Sequence, residues 1–222
     1  MLGSGTVTVE VRAEGIAAGW VVARGCCVET SAGALLQTVE AAKSAAVAVK
    51  DSPDSLGRKA AVRNMLRHGS YKPTGRGKPA SEYLLNAALD GEFPLINNLV
   101  DVNNLVSLET LLPISLVDLE RAATTAFAVR WGRPGEAYVF NPSGQVLDLG
   151  DLLLLSKLPE DEPCASPIKD SQASKTHEGS RDVLAVLYAP AALRRAAEDG
   201  ARRMAGLLAG SCGGAAEWGV LP

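Results

Sequence analysis

Five amide and carboxylate side chains, Asn97, Asn98, Asp101, Asn103 and Asn104, are set into an otherwise apolar run, PLINNLVDVNNLVSLETLL. Burying such groups costs free energy unless each is hydrogen-bonded, so a core-like segment this rich in them must organise something polar. They either line a pocket for a polar ligand or cap helix ends and tie loops together. Asp101 stands out, because a carboxylate within an apolar segment needs a strong partner.

Other groups with chemical potential lie further along. Glu136 and Asp170 are candidates to hold a ligand ammonium or orient a water. The competing reading makes Glu136 a turn residue and pairs Asp170 with Lys169 or Lys175, which contributes only about 0–1 kcal/mol at a surface. Lys169, Lys175 and Thr176 occupy a Ser/Lys-rich loop suited to a phosphate or a carboxylate. The two histidines, His68 and His177, adjoin no recognisable nucleophile motif, and no G-x-S-x-G step is present. Four cysteines (Cys26, Cys27, Cys164, Cys212) without C-x-x-C spacing give no metal set, and no cofactor is implied.

Charge is distributed unevenly. The chain of 222 residues carries a net charge of −3, yet residues 58–78 hold Arg58, Lys59, Arg63, Arg67, Lys72, Arg76 and Lys78 and no acid. Lys59, Arg63 and Arg67 recur every four residues, which puts them on one helical face. Such a patch fits a polyanion, with counterion release as the driving force, and Tyr71 is placed to stack on a base. The alternative is a solvated face that pairs with the acidic remainder.

The elements that must position these groups can be read from periodicity. Strands are expected at residues 6–11 and 19–28. Helices are expected at 33–50, capped by Ser31, at 55–68, and at 79–90 behind Pro79. Residues 69–78 should form an exposed, mobile loop, and the asparagines should sit near the start of a helix within 96–108. Strands follow at 127–131, 137–140 and 183–188, with an apolar stretch at 146–155, an acidic loop at 159–163 and a helix from Pro190 to about Ala209. The Gly/Ala-rich end, residues 210–222, reads as a loose tail. Helices early and strands late imply an α+β fold, a mixed or antiparallel sheet packed with several helices, in a single domain. Reduced thiols, no leader-like N-terminus and no apolar run long enough for a span imply a cytoplasmic protein.

Several pieces also carry a resemblance. Ala80-Ser81-x-x-Leu84-Leu85, then Phe93-Pro94-x-Ile96-Asn97-x-x-Val100-Asp101-x-x-Asn104, then Leu112-Pro113-Ile114-x-x-x-Asp118-Leu119 resemble the B3/4 domain. That is the editing module of the beta subunit of bacterial phenylalanyl-tRNA synthetase, which also occurs free-standing. Val129-Arg130 before Gly135-Glu136 resembles a further step of the pattern. So do Lys169-Asp170-Ser171 with Ser174 and Thr176, and Val183-Leu184. The similarity spans roughly residues 61–190. It implies a fold that binds tRNA or aminoacyl-tRNA and hydrolyses a mischarged ester. Taken with the residue types, in which the Asn97, Asn98, Asp101, Asn103 and Asn104 cluster could hold an amino-acid head group or a terminal adenosine, the pocket candidates are those five with Ser115, Glu136, Lys169, Asp170 and Thr176. Two positions depart from the pattern: Ser115 stands where the family has histidine, and Ala185-Val186-Leu187 where it has a tyrosine-recognising glutamate. A different amino acid, a non-catalytic RNA-binding module and a small-molecule pocket therefore stay open.

Overall fold

The computed structural model describes residues 5–222. The reading of the N-terminus as free of a leader rests partly on residues 1–4, which lie outside them. The strand at the centre of the molecule is β9 (Val183–Pro190), whose run VLAVLYAP lacks the polar alternation of a half-exposed strand. Both its faces are covered, so both must be apolar. Val183, Ala185 and Leu187 point into one core, and Leu184, Val186 and Tyr188 into the other. β2 (Ile16–Arg24) and β3 (Ile114–Asp118) flank it antiparallel, and β10 (Ala215–Leu221) pairs with the far side of β2.

One face of this sheet packs on α1 (Gly33–Val49), α3 (Ala80–Leu89), α4 (Asn98–Thr110) and α6 (Arg194–Cys212). Gly19 lets α6 approach closely, since a Cβ there would lie 2.7 Å from the carbonyl oxygen of Ala197. The other face meets a second sheet of β1 (Thr8–Val11), β4 (Ala126–Trp131), β7 (Leu153–Lys157) and β8 (Glu162–Ala165). Within it β1 and β4 run parallel and the other pairs antiparallel. The short hairpin of β5 (Ala137–Val139) and β6 (Val146–Asp148) stands apart. α2 (Pro53–Met65) contributes Val62 and Met65 to the core between the sheets, and α5 (Leu119–Ala122) follows β3 directly. The architecture is α+β with mixed and antiparallel sheets, as the order of elements implied. No helix among the described residues is long and apolar enough to cross a membrane.

Local chemistry shifted several boundaries. Ser31 does not cap α1, whose N-cap position is Ala32 without a side-chain bond; its hydroxyl donates instead to Asp101 Oδ2 at 2.6 Å. α2 starts earlier than expected, because Ser52 accepts from the Ser55 amide with Pro53 in the first turn, and it ends at Met65. β2 stops at Arg24, where Gly25 takes φ 71°. Cys26 and Cys27 therefore lie beyond the strand, the first buried and the second exposed.

The largest correction concerns residues 210–222. They finish α6, reverse through Gly213 and Gly214 (φ 71° and 83°) and form β10 along seven paired positions of β2. Composition hid this strand: Gly219 is needed because β10 crosses the indole of Trp20, which a Cβ would approach to 2.8 Å.

α4 is buried on nearly every side, so its polar residues need partners. Asn97 caps it by accepting from Val100 N at 3.0 Å. Asn98 accepts from Glu29 N and donates to the carbonyls of Cys27 (2.9 Å) and Ser211 (3.0 Å), fastening the segment after β2 and the end of α6 to one helix start. Asp101 accepts from Ser31 Oγ and from Ile96 N at 2.8 Å. Asp101→Ala leaves both donors without their acceptor inside the fold and should lower stability by roughly 3 kcal/mol, read by urea unfolding. Truncation after Gly213 removes the whole β10 ladder and bares the edge of β2. Its expected effects are a loss of roughly 3 kcal/mol or more and self-association on size-exclusion chromatography.

Candidate functional site

A cleft of about 360 Å³ opens where the first turns of α4, the strand β3 and the loop of residues 166–176 meet. Its apolar wall is made by Ile96, Val100, Ile114, Leu116 and Ile168, and its polar groups by Asn97, Asn103, Asn104, Ser166, Lys169, Asp170, Lys175 and Thr176. Six of the ten pocket candidates therefore come together here: Asn97, Asn103, Asn104, Lys169, Asp170 and Thr176. A larger groove of about 570 Å³ between α1 and α2 is floored by alanines and leucines, with ionic groups only as rim pairs, so size alone does not mark the chemical site.

Asp170 is the cleft's central titratable group. Its carboxylate accepts from Leu116 N (3.1 Å) and Ser166 N (3.3 Å), which joins β3 to the loop. Burial pushes its pKa up to about 6, against the downward pull of the Ser115 hydroxyl, those two amides and Lys175. Burial likewise lowers the pKa of Lys175, although Asp170 favours its charged form. Phe140 positions both lysines: its carbonyl accepts from Lys175 Nζ at 2.6 Å, and its ring lies 4.0 Å beneath Lys169 Nζ. Asn103 is 9% exposed, and its Oδ1 is an acceptor with no partner among the described residues. An orphaned buried acceptor is costly, and such an atom calls for an explanation.

The other four pocket candidates lie elsewhere. Asn98 and Asp101 are consumed by the contacts that hold α4. Ser115 falls on the opposite face of β3 from Ile114 and Leu116; its fully buried hydroxyl lies 3.2 Å from the Ser166 carbonyl, accepts from Tyr188 Oη at 3.0 Å and reaches Asp170 from the core side. Val186 pairs with Ser115 in register and points the same way, away from the cleft. Glu136 belongs to a structural ion cluster. It holds Arg130 through two bonds of 2.8 Å and accepts from Arg133 N at 2.7 Å, so its pKa is lowered chiefly by Arg130. Asp161 completes that cluster; burial pushes its pKa up, but Ser156, Arg130 and Arg133 outweigh it and bring it to about 2.

Neither histidine reaches the cleft. His68 stacks on Trp131 with ring centroids 4.0 Å apart. His177 Nε2 lies 3.5 Å from Asp118, and the Ser180 hydroxyl donates to the same carboxylate. Serine, histidine and aspartate thus meet, but the serine proton points to the acid and not to the imidazole, which is no arrangement for a nucleophile.

The basic segment divides. Arg58 pairs with Asp54 and faces the alanine groove, while Arg63 pairs with the buried Glu82. Lys59 and Arg67 line a groove of about 470 Å³ between α2 and α3, with Lys78 at its end. Arg76 and Lys78 line a hollow beside the cleft, and Lys72 lines neither. Residues 69–78 hold a single 3-10 turn (Gly75–Gly77) and are tied down: Ser70 bonds Asp151 through its amide (2.7 Å) and hydroxyl (2.8 Å), and Tyr71 Oη donates to the Gly77 carbonyl at 2.8 Å. Tyr71 is therefore a strut rather than a stacking platform, and burial raises its pKa to about 12. Beside this loop it is Tyr83, 67% exposed, whose ring stands in solvent. The spacing on α3 could have found it, since Leu84, Leu85, Ala87 and Ala88 face the core and leave position 83 outward. Ser166 and Phe140 carry no comparable signal, because only the folded loop brings them to the cleft.

No curated protein matches the chain. The sequence profile of the B3/4 domain matches residues 74–203, which include α3, α4, the loop of residues 166–176 and every residue that lines the cleft. Covering more than half of the 222 residues, that match places the chain in the B3/4 domain family.

Proposed function

We propose that this protein binds aminoacyl-tRNA, takes the aminoacyl group into the cleft and hydrolyses its ester in trans. Membership of the B3/4 family fits a tRNA-related role in general. The observation that carries the finer reading is the unpartnered Oδ1 of Asn103 in the same cleft as the Asp170 carboxylate. Two acceptors beside an apolar wall suit an α-ammonium attached to an apolar side chain. The wall of Ile114, Leu116 and Val100 gives an apolar side chain a surface to pack on.

For the hydrolytic step, a water attacks the ester carbonyl as its proton passes to the Asp170 carboxylate; the bond from the carbonyl carbon to the ribose oxygen then breaks, and that oxygen takes the proton back from Asp170 and leaves as the hydroxyl. A carboxylate whose pKa lies near 6 is ionised at neutral pH and more basic than an ordinary aspartate, which suits a general base. The absence of a histidine from the cleft favours a second reading, a tRNA-binding module without catalysis.

Both readings are separated by deacylation assays on a panel of correctly and incorrectly charged tRNAs, run beside filter binding. The expected result is hydrolysis of one or a few mischarged species. After subtraction of the spontaneous rate, activity should rise as the pH passes about 6 and then level off, because the base form of Asp170 is the active one. Asp170→Asn should slow the reaction by about 100-fold or more and remove that limb of the profile. Salt-sensitive binding with no hydrolysis would leave the binding module, and loss of both would sink the tRNA reading.

A further inference from the structure

Three cavities touch end to end. The cleft and a hollow of about 540 Å³ share Ala80, Ile168 and Lys169 in their walls. That hollow and the groove between α2 and α3 share Lys78 and Asn86. Along the line stand Lys169, Arg76, Lys78, Arg67 and Lys59. None of them is in an ion pair among the described residues, whereas Arg58 and Arg63 are neutralised. Like charges left unpaired beside one another repel, and a polyanion laid along them relieves that repulsion. The same hollow presents Tyr83, an aromatic face in solvent with cations on its flanks, which is the pairing of features that holds unpaired bases.

From this we infer that the hollow is a subsite for one unpaired nucleotide at the 3′ end of an RNA. Its base stacks on Tyr83, Arg76 and Lys78 hold its phosphate, its ribose faces the cleft through the shared Lys169, and the preceding strand leaves along the α2–α3 groove. The inference rests on the functional reading above and adds the polarity: the esterified end points to Asp170, and the duplex lies towards Lys59. A blunt or fully paired end cannot present a base to Tyr83.

The test uses uncharged RNA, so it does not depend on hydrolysis. Binding of the full-length protein is measured by fluorescence anisotropy to one RNA hairpin in three forms: blunt, with four unpaired 3′ nucleotides, and with four unpaired 5′ nucleotides. The 3′-tailed form should bind about tenfold more tightly than the blunt one. Tyr83→Ala should abolish that preference and Tyr83→Phe should keep it, both with an unchanged slope of log affinity against log salt. Lys78→Gln should reduce the slope by about 1. Tyr83 is mostly in solvent, so its variants should fold as the parent does, which circular dichroism verifies. Equal binding of blunt and tailed hairpins, an undiminished preference in Tyr83→Ala, or equal preference for the 5′ tail would overturn the proposal. A 3′-tail preference that depends on Tyr83, with no charged tRNA hydrolysed, would uphold the subsite and remove the enzymatic reading alone.

Discussion

The burial of α4 is the constraint from which the rest of the molecule can be understood. Ten of its thirteen residues are buried, yet it carries three amides, a carboxylate and a serine among them. Inside a protein each such group needs a partner, and the partners chosen decide what is fastened to what. Asn98 draws in the segment after β2 and the end of α6; Asp101 draws in Ser31 and the turn at Ile96; Ser107 donates to the Leu112 carbonyl at 2.7 Å and sets the turn into β3. Satisfying the first turn and the end of the helix leaves its middle, Asn103 and Asn104, facing the cleft. Their own mutual contact, at 3.5 Å, is too long to satisfy either. The candidate site is thus bordered by the part of a buried polar helix that the fold does not complete.

Charge follows a similar division between groups the fold has used and groups it has left. Arg130 is almost wholly buried and is tolerated because Glu136, Asp161 and two backbone carbonyls surround it. Arg63 covers Glu82 in the same manner. Among the described residues, five cations without an ion pair, Lys59, Arg67, Lys72, Arg76 and Lys78, cluster on the end of α2 and the loop that leads to α3, with Lys169 beside them. With a sequence net charge of −3, that cluster is a local concentration of positive charge in an otherwise acidic chain.

Much of this was legible in the sequence, for identifiable reasons. The period of α1 and α3, the Pro79 and Asn97 helix starts and the apolar run of β9 are local signals, and each appears where expected within a few residues. The Asn cluster was legible as important but not as divided, since a linear pattern cannot tell a side chain that ties the backbone from one that faces a cavity. Asp101 looked like the best ligand contact for the reason that makes it structural: it is the most buried carboxylate of the run, and its partners come from residues 31 and 96, which sequence spacing does not link. β3 and β8 were missed because a five-residue strand behind Pro113 and a four-residue strand that contains Pro163 resemble turns, and β10 because glycine and alanine mask a strand whose stability comes from its neighbour.

The cleft is also a place where the native state carries a cost that a ligand can return. Asp170 has a folded pKa near 6, above the value of about 4 for an unfolded aspartate. Between those values the folded state binds more protons than the unfolded one, so this group's contribution to stability is full below about pH 4 and is lost as the pH rises through 6. At neutral pH the protein therefore holds an ionised, desolvated carboxylate, with the unsatisfied Oδ1 of Asn103 lining the same cleft. On the proposed reading, a cationic group entering the cleft would offset the carboxylate's penalty, so binding should select an ammonium over a neutral isostere of the same shape. It should do so more strongly above pH 6 than below it, because protonating Asp170 removes one of the two penalties before the ligand arrives.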